Sequence, residues 1–153
     1  MNGYDSCTEL LLDTLGSGIV NSPDVRGRTP MHAAAYSDHL ESLHMLLSHG
    51  GSVSECDTGG RTALMYACMS GQCAAIEALL EAGASLTDLD AEQNSALHYA
   101  CINQQEDAAV LVLDRSNEAL VNVANTDGIT ALHIAGKQGL VPVVQLLLSK
   151  GGE

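Results

Sequence analysis

Three histidines of this chain stand at one recurring position. His32, His98 and His133 each follow a hydroxyl residue by three, namely Thr29, Ser95 and Thr130. Imidazoles in register are what a metal centre or a set of general bases would use. A second set, His39, His44 and His49, advances in steps of five. The five cysteines, Cys7, Cys56, Cys68, Cys73 and Cys101, offer thiolates. None of these sets has the spacing its chemistry needs. Ligands sharing a helix face lie three or four residues apart, so a step of five fails. The rings of the first set are separated by whole structural units, about 10 Å per unit for packed helices, too far for one ion. Met65 also takes the same place in the unit between His32 and His98. Cys68 and Cys73 lack the further pair that a zinc site requires. Gly59-Gly60 and Gly151-Gly152 lack the strand, spacing and lysine of a phosphate loop. Carboxylates such as Glu106 and Asp107 suit a helix start, where the backbone dipole favours negative charge. The sequence therefore predicts no catalytic residue, no cofactor and no metal.

What positions these residues is a phrase written four times. It reads Arg-Thr-Pro-Met-His-Ala-Ala at 28–34, Arg-Thr-Ala-Leu-Met-Tyr-Ala at 61–67, Asn-Ser-Ala-Leu-His-Tyr-Ala at 94–100 and Ile-Thr-Ala-Leu-His-Ile-Ala at 129–135. From Thr29 through Thr62 and Ser95 to Thr130 the steps are 33, 33 and 35 residues. Before the phrase comes a turn such as Asp57-Thr58-Gly59-Gly60, where Asp bonds its own backbone and Gly tolerates positive φ. The hydroxyl suits a helix N-cap. A short helix runs to about Ser70 and Gly71 ends it. A second helix runs from about Ala74 to Glu81, with Ile76, Leu79 and Leu80 on one face, and Gly83 stops it. The chain thus reads as a single repeat domain over 1–153, with a partial unit at 4–23 and units at 24–56, 57–89, 90–124 and 125–153. Two units carry a two-residue insertion, within Asp13–Ile19 and Asp114–Leu120, expected in loops. Neither end has a polar cap, so the expectation is a segment of a longer array.

Composition agrees with a stack of small helices. The 153 residues include no Trp, no Phe and four Tyr. A repeat stack needs no central aromatic core, because each unit buries its apolar face on its neighbours. The formal charge of -13 argues against nucleic acid, where phosphate neutralisation dominates, and against an anionic membrane surface. No apolar run approaches the ~18 residues of a membrane span. An odd cysteine count, with Cys68 and Cys101 at equivalent positions, suits buried thiols in a reducing compartment.

The repeated phrase at this period resembles the ankyrin repeat. The resemblance implies an all-α fold, an ankyrin repeat solenoid of helix-turn-helix pairs linked by β-hairpin-like turns. Longer stretches resemble the regulatory ankyrin repeat subunits of protein phosphatase 6: Asp13-Thr14-Leu15-Gly16, Gly27-Arg28-Thr29-Pro30, His32-Ala33-Ala34-Ala35, Leu46-Leu47-Ser48-His49 and Gly139-Leu140 with Val143-Val144-Gln145. Ala-Cys-Met-Ser at 67–70 and Ile-Asn-Gln-Gln at 102–105 depart from that pattern. The resemblance implies a protein-interaction scaffold in cytoplasm or nucleus. Its partner would be a phosphatase catalytic subunit, an associated subunit or a substrate. Spacer repeats in an array of another kind are the alternative.

Ankyrin-like proteins bind through turn tips and the first-helix surface, and repeat arithmetic places those positions here. The candidates are Arg26, Arg28, Tyr36, Ser37, Arg61, Met69, Ser70, Asn94, Ile102, Asn103 and Lys137. Four of the six basic residues fall on this face of an acidic chain. Arg beside Tyr and Met is the composition of interface centres, which favours an acidic or phosphorylated partner segment. Arg before Thr is also ordinary turn chemistry, and both readings stand at this point.

Overall fold

A computed structural model describes residues 25–37, 40–116 and 118–150. The partial unit at 4–23, the insertion at 13–19, Cys7 and His39 lie outside the described residues. The described helices are α1 (Pro30–Tyr36), α2 (Leu40–Ser48), α3 (Ala63–Ser70), α4 (Cys73–Glu81), α5 (Ala96–Ile102), α6 (Glu106–Arg115), α7 (Glu118–Val121), α8 (Ala131–Gln138) and α9 (Val141–Ser149). Among the described residues there is no strand, only an isolated antiparallel bridge between Ala124 and Thr130. None of these helices is long and apolar enough to cross a membrane.

The helices form two layers. The first helices of successive units, α1, α3, α5 and α8, pack side by side, and so do the second helices α2, α4, α6 and α9. Small side chains set the first layer. Ala34, Ala67, Ala100 and Ala135 are equivalent and fully buried, and Ala35, Cys68 and Cys101 follow them at the next equivalent position. A larger residue there would force neighbouring helices apart. The second layer supplies the bulk: Leu43 and Leu46, Ile76 and Leu79, Val112 and Leu113, Val143 and Leu147 are all buried. Cys68 and Cys101 therefore act as small hydrophobes. Burial raises both thiols, Cys101 to about 12, so neither is ionised near neutral pH.

Turns knit the units at one edge. Thr58 N–H donates to Arg26 O at 2.8 Å, Ala91 N–H to Gly59 O at 2.9 Å and Thr126 N–H to Glu92 O at 2.9 Å. These rungs bring backbones so close that Gly60, at φ +79°, could carry a Cβ only 2.9 Å from Ala91 N. That contact and its left-handed conformation both require glycine. The insertion at Asp114–Leu120, expected as loop, instead contains part of α7, whose Leu120 and Val121 are buried. Two extra residues let the segment turn once and return apolar side chains to the stack.

Leu79 is fully buried on α4, with α2 and α6 on either side. Leu79→Ala should lower the unfolding free energy by about 2–4 kcal/mol in denaturant titration. A loss under about 1 kcal/mol would show that this register is not the one that carries the core.

Candidate functional site

The recurring histidine works as a joint. In unit 1 the His32 Nδ1 accepts from Thr29 N–H at 2.9 Å and lies 3.0 Å from Thr29 Oγ1. That fixes the proton on Nε2, which donates to Arg61 O in the next turn at 2.9 Å. His98 repeats the arrangement, with Ser95 N–H at 3.1 Å and Ile129 O at 2.9 Å. His133 makes the local half, accepting from Thr130 N–H at 3.0 Å. One ring thus closes its own helix start and ties it to the following unit. Burial pushes His32 and His98 below the usual imidazole value, against the pull of the Arg61 and Ile129 carbonyls and of Asp57, Glu55 and Asp90. Both are held neutral as structural donors. Among the described residues no three His, Cys, Asp or Glu side chains group as a metal site needs.

The turns hold a second joint, which sequence reasoning missed. Asp57 Oδ1 accepts from Gly59 N–H and Arg61 N–H, both at 2.9 Å. Its Oδ2 accepts from Arg61 Nε at 3.0 Å and Tyr66 Oη at 2.5 Å. Burial opposes the charge, yet the bonds from Tyr66, Arg61 and Gly59 and the guanidinium outweigh it, and Asp57 sits below the usual carboxylate value. Burial and the same carboxylate raise Tyr66 to about 12. Asp90 accepts from Glu92 N–H, Asn94 N–H and Tyr99 Oη in the same way. The signal was present: Tyr66 and Tyr99 each follow a turn Asp by nine residues, one repeat apart. Unit 4 has Asn125 and Ile134 at these places, and Asn125 Nδ2 donates across to Asn94 Oδ1 at 3.0 Å.

The candidate residues divide accordingly. Arg26 and Arg28 are exposed on the first tip. Arg61 lies on the second, half-buried, its guanidinium carbon 5.6 Å from the Tyr66 ring centroid. Tyr36 is 54% exposed and meets Tyr66 edge-on at 6.1 Å. Arg28, Arg61, Tyr36 and Tyr66 thus form one patch, since the Arg28 charge also acts on Tyr66. Met69 is half-buried against the core, Ile102 is 41% exposed and Lys137 is exposed. Ser37 Oγ donates to Ala33 O at 2.7 Å, Ser70 Oγ to Tyr66 O at 3.3 Å, and Asn103 Nδ2 to Tyr99 O at 3.0 Å. These three finish helix ends. Asn94 must be corrected. Expected as a binding position at a tip, it is buried, and its side chain joins units 3 and 4 through Asn125.

A family model described as Ankyrin repeats (3 copies) matches residues 1–90 and again residues 84–153.

Two outcomes follow from the histidine joint. A depressed imidazole pKa contributes stability that is complete above the unfolded value near 6.5 and is lost as pH falls below it. The stabilisation from Asp57 is fully present and constant across that window, because its pKa is lowered from 3.8 and its contribution is lost only at more acidic pH. The urea midpoint should therefore fall between pH 7.5 and pH 5, and His98→Gln should flatten that slope; a midpoint constant over the range would contradict the assignment. Met65 is buried and has no nitrogen to bridge to Asn94 O. Met65→His should add the missing bond and raise stability by about 0.5–1.5 kcal/mol, with a measured loss counting against it.

Proposed function

The chain belongs to the ankyrin repeat family, whose repeats are protein–protein interaction scaffolds, and we propose that it serves a Ser/Thr protein phosphatase complex as part of a regulatory or targeting subunit. The family is typically non-enzymatic. The phosphatase assignment is supported by the sequence stretches quoted above. It includes the reading of the chain as a segment of a longer array acting in cytoplasm or nucleus.

The observation that carries a binding role is the patch on units 1 and 2. The guanidinium groups of Arg28 and Arg61 and the exposed Tyr36 gather around Tyr66 on a chain whose formal charge is -13. The Asp57 bond uses only one of the five N–H donors of Arg61, leaving the terminal nitrogens able to meet a carboxylate or phosphate. Arg28 and Tyr36 complete a surface on which an acidic or phosphorylated segment can lie. The attraction is local, because the molecule as a whole repels anions, and salt will weaken it. No comparable observation favours the spacer reading, which requires these positions to be replaceable without effect.

The test is affinity capture with the intact chain from cell extract. Arg26→Glu with Arg28→Glu is the informative pair, since Arg61 also clamps Asp57 and its loss would disturb the turn. The pair should weaken capture tenfold or more, about 1.4 kcal/mol, with the unfolding midpoint unchanged. Glu77→Gln with Glu81→Gln on α4 should leave capture intact. Undiminished capture by the arginine pair would sink the binding face. A captured set without any phosphatase subunit would sink the phosphatase assignment alone.

A further inference from the structure

A groove of about 360 Å³ opens between units 2 and 3, where the second helices end. Unit 2 lines it with Leu80 and Ala84, four residues apart across the end of α4, and with Leu86 of the following loop. Unit 3 lines it with Arg115 and Ser116 at the end of α6 and with Leu120 of α7. All three belong to the segment 114–120 that carries two extra residues, so the groove is built where the repeat period is broken. Units 2 and 3 have described neighbours on both sides, and no end of the stack opens it. Leu80, Ala84 and Leu86 pack on the core yet stay only partly buried.

Most polar groups of the groove are already engaged. Thr87 Oγ1 lies 2.8 Å from Ser85 Oγ, and Ser116 Oγ donates to Leu113 O at 3.1 Å. Arg115 Nη2 stands 3.8 Å from Glu77 Oε1, an ion pair too long for a hydrogen bond. Glu77 supplies the countercharge, so Arg115 is no anchor for an anion. Its N–H groups can still donate to a neutral carbonyl. Beyond that pair, exposed carboxylates neighbour the lining residues along the chain: Glu81 follows Leu80, Asp88 follows Thr87 and Asp114 precedes Arg115. An apolar groove with one donor thus sits in acidic surroundings.

We infer that this groove is a second docking site, which takes one aliphatic side chain from a basic partner segment. The side chain rests on Leu80, Ala84, Leu86 and Leu120. A neighbouring main-chain carbonyl of the segment accepts from Arg115. Lysines or arginines on either side meet Glu81, Asp88 and Asp114. A volume at the lower edge of the roughly 300–1,000 Å³ of small-ligand sites suits a side chain better than a cofactor. Apolar burial supplies the affinity, and the flanking cations select the partner and steer its approach. The site shares no residue with the arginine-bearing tips, so it is independent of that face.

The probe is a fluorophore-labelled, amidated peptide of two lysines, glycine, leucine, glycine and two lysines, read by anisotropy against the intact chain. Saturable binding is expected at or below about 1 mM. It should weaken about fivefold or more when leucine becomes glycine, and likewise with Ala84→Phe, which fills the groove, at an unchanged unfolding midpoint. Asp88→Asn with Asp114→Asn should weaken it about threefold. Arg115→Ala separates the groove from general attraction to an acidic surface. Loss of a cation would tighten a purely electrostatic association, whereas loss of the groove's donor weakens this one. No saturation by about 1 mM, equal binding of the leucine and glycine peptides, or tighter binding by Arg115→Ala overturns the inference. Self-association abolished by Ala84→Phe also overturns it, because the groove then belongs to a second copy. Should Ala84→Phe lower the midpoint, Arg115→Ala on its exposed side chain still decides the matter.

Discussion

The stack depends on a ring that has two jobs. His32 and His98 each cap their own first helix through Nδ1 and reach the next turn through Nε2. In a linear array, stability is close to a sum of unit terms and nearest-neighbour terms. Here one side chain contributes to both. A proton on the ring removes the Nδ1 acceptor, which opens the cap and frees the orientation that serves the neighbour. Local order and inter-unit order therefore fail together, and the helices, too short to persist alone, gain cooperativity from the coupling.

Unit 2 shows what happens when the ring is absent. Met65 fills the volume but makes no polar bridge, and the turns around it are held by other means. Asp57 gathers four donors from Gly59, Arg61 and Tyr66, and Arg61 lies over the Tyr66 ring. Tyr66 also meets the His32 ring edge-on at 5.3 Å. The carboxylate is thus saturated inside its own turn while the cation above it faces outward. Structure and binding chemistry are joined at that point: the residue that holds the turn presents the charge.

Much of this was legible in the sequence because it is periodic. The helix pairs, the buried Ala position and the helix-capping hydroxyls recur in all four units, and the left-handed glycine recurs in two, as Gly71 and Gly139, so the copies reinforce one reading. What was not legible depends on contacts between units or on a single copy. Asn94 looks like any tip residue until Asn125 of the next turn is placed against it. The Asp–Tyr pairs occur in two units only, and nothing in one turn reveals that the tyrosine folds back to it. The helical turn in the third unit's insertion arises because Leu120 and Val121 find buried space, a matter of tertiary packing. The candidate site followed the same division: exposed Arg26, Arg28, Tyr36 and Ile102 lie where repeat arithmetic puts them, whereas Ser37, Ser70 and Asn103 are occupied with helix ends.

Net charge and local charge differ on this molecule, and the burial of two turn carboxylates is one reason. Asp57 and Asp90 recur at tips and would ordinarily cancel the arginines around them. Both are buried below the surface of their turns, where backbone amides and a tyrosine share their charge. Screening at physiological salt leaves little of a charge's field beyond ~8–10 Å, so contact depends on the side chains nearest the approaching group. Among the described tip residues, Arg26, Arg28 and Arg61 stand on units 1 and 2, and the exposed Glu92 and Asp127 on units 3 and 4. The described tips of an overall acidic chain thus differ in charge from one end of the stack to the other, which gives the face a direction.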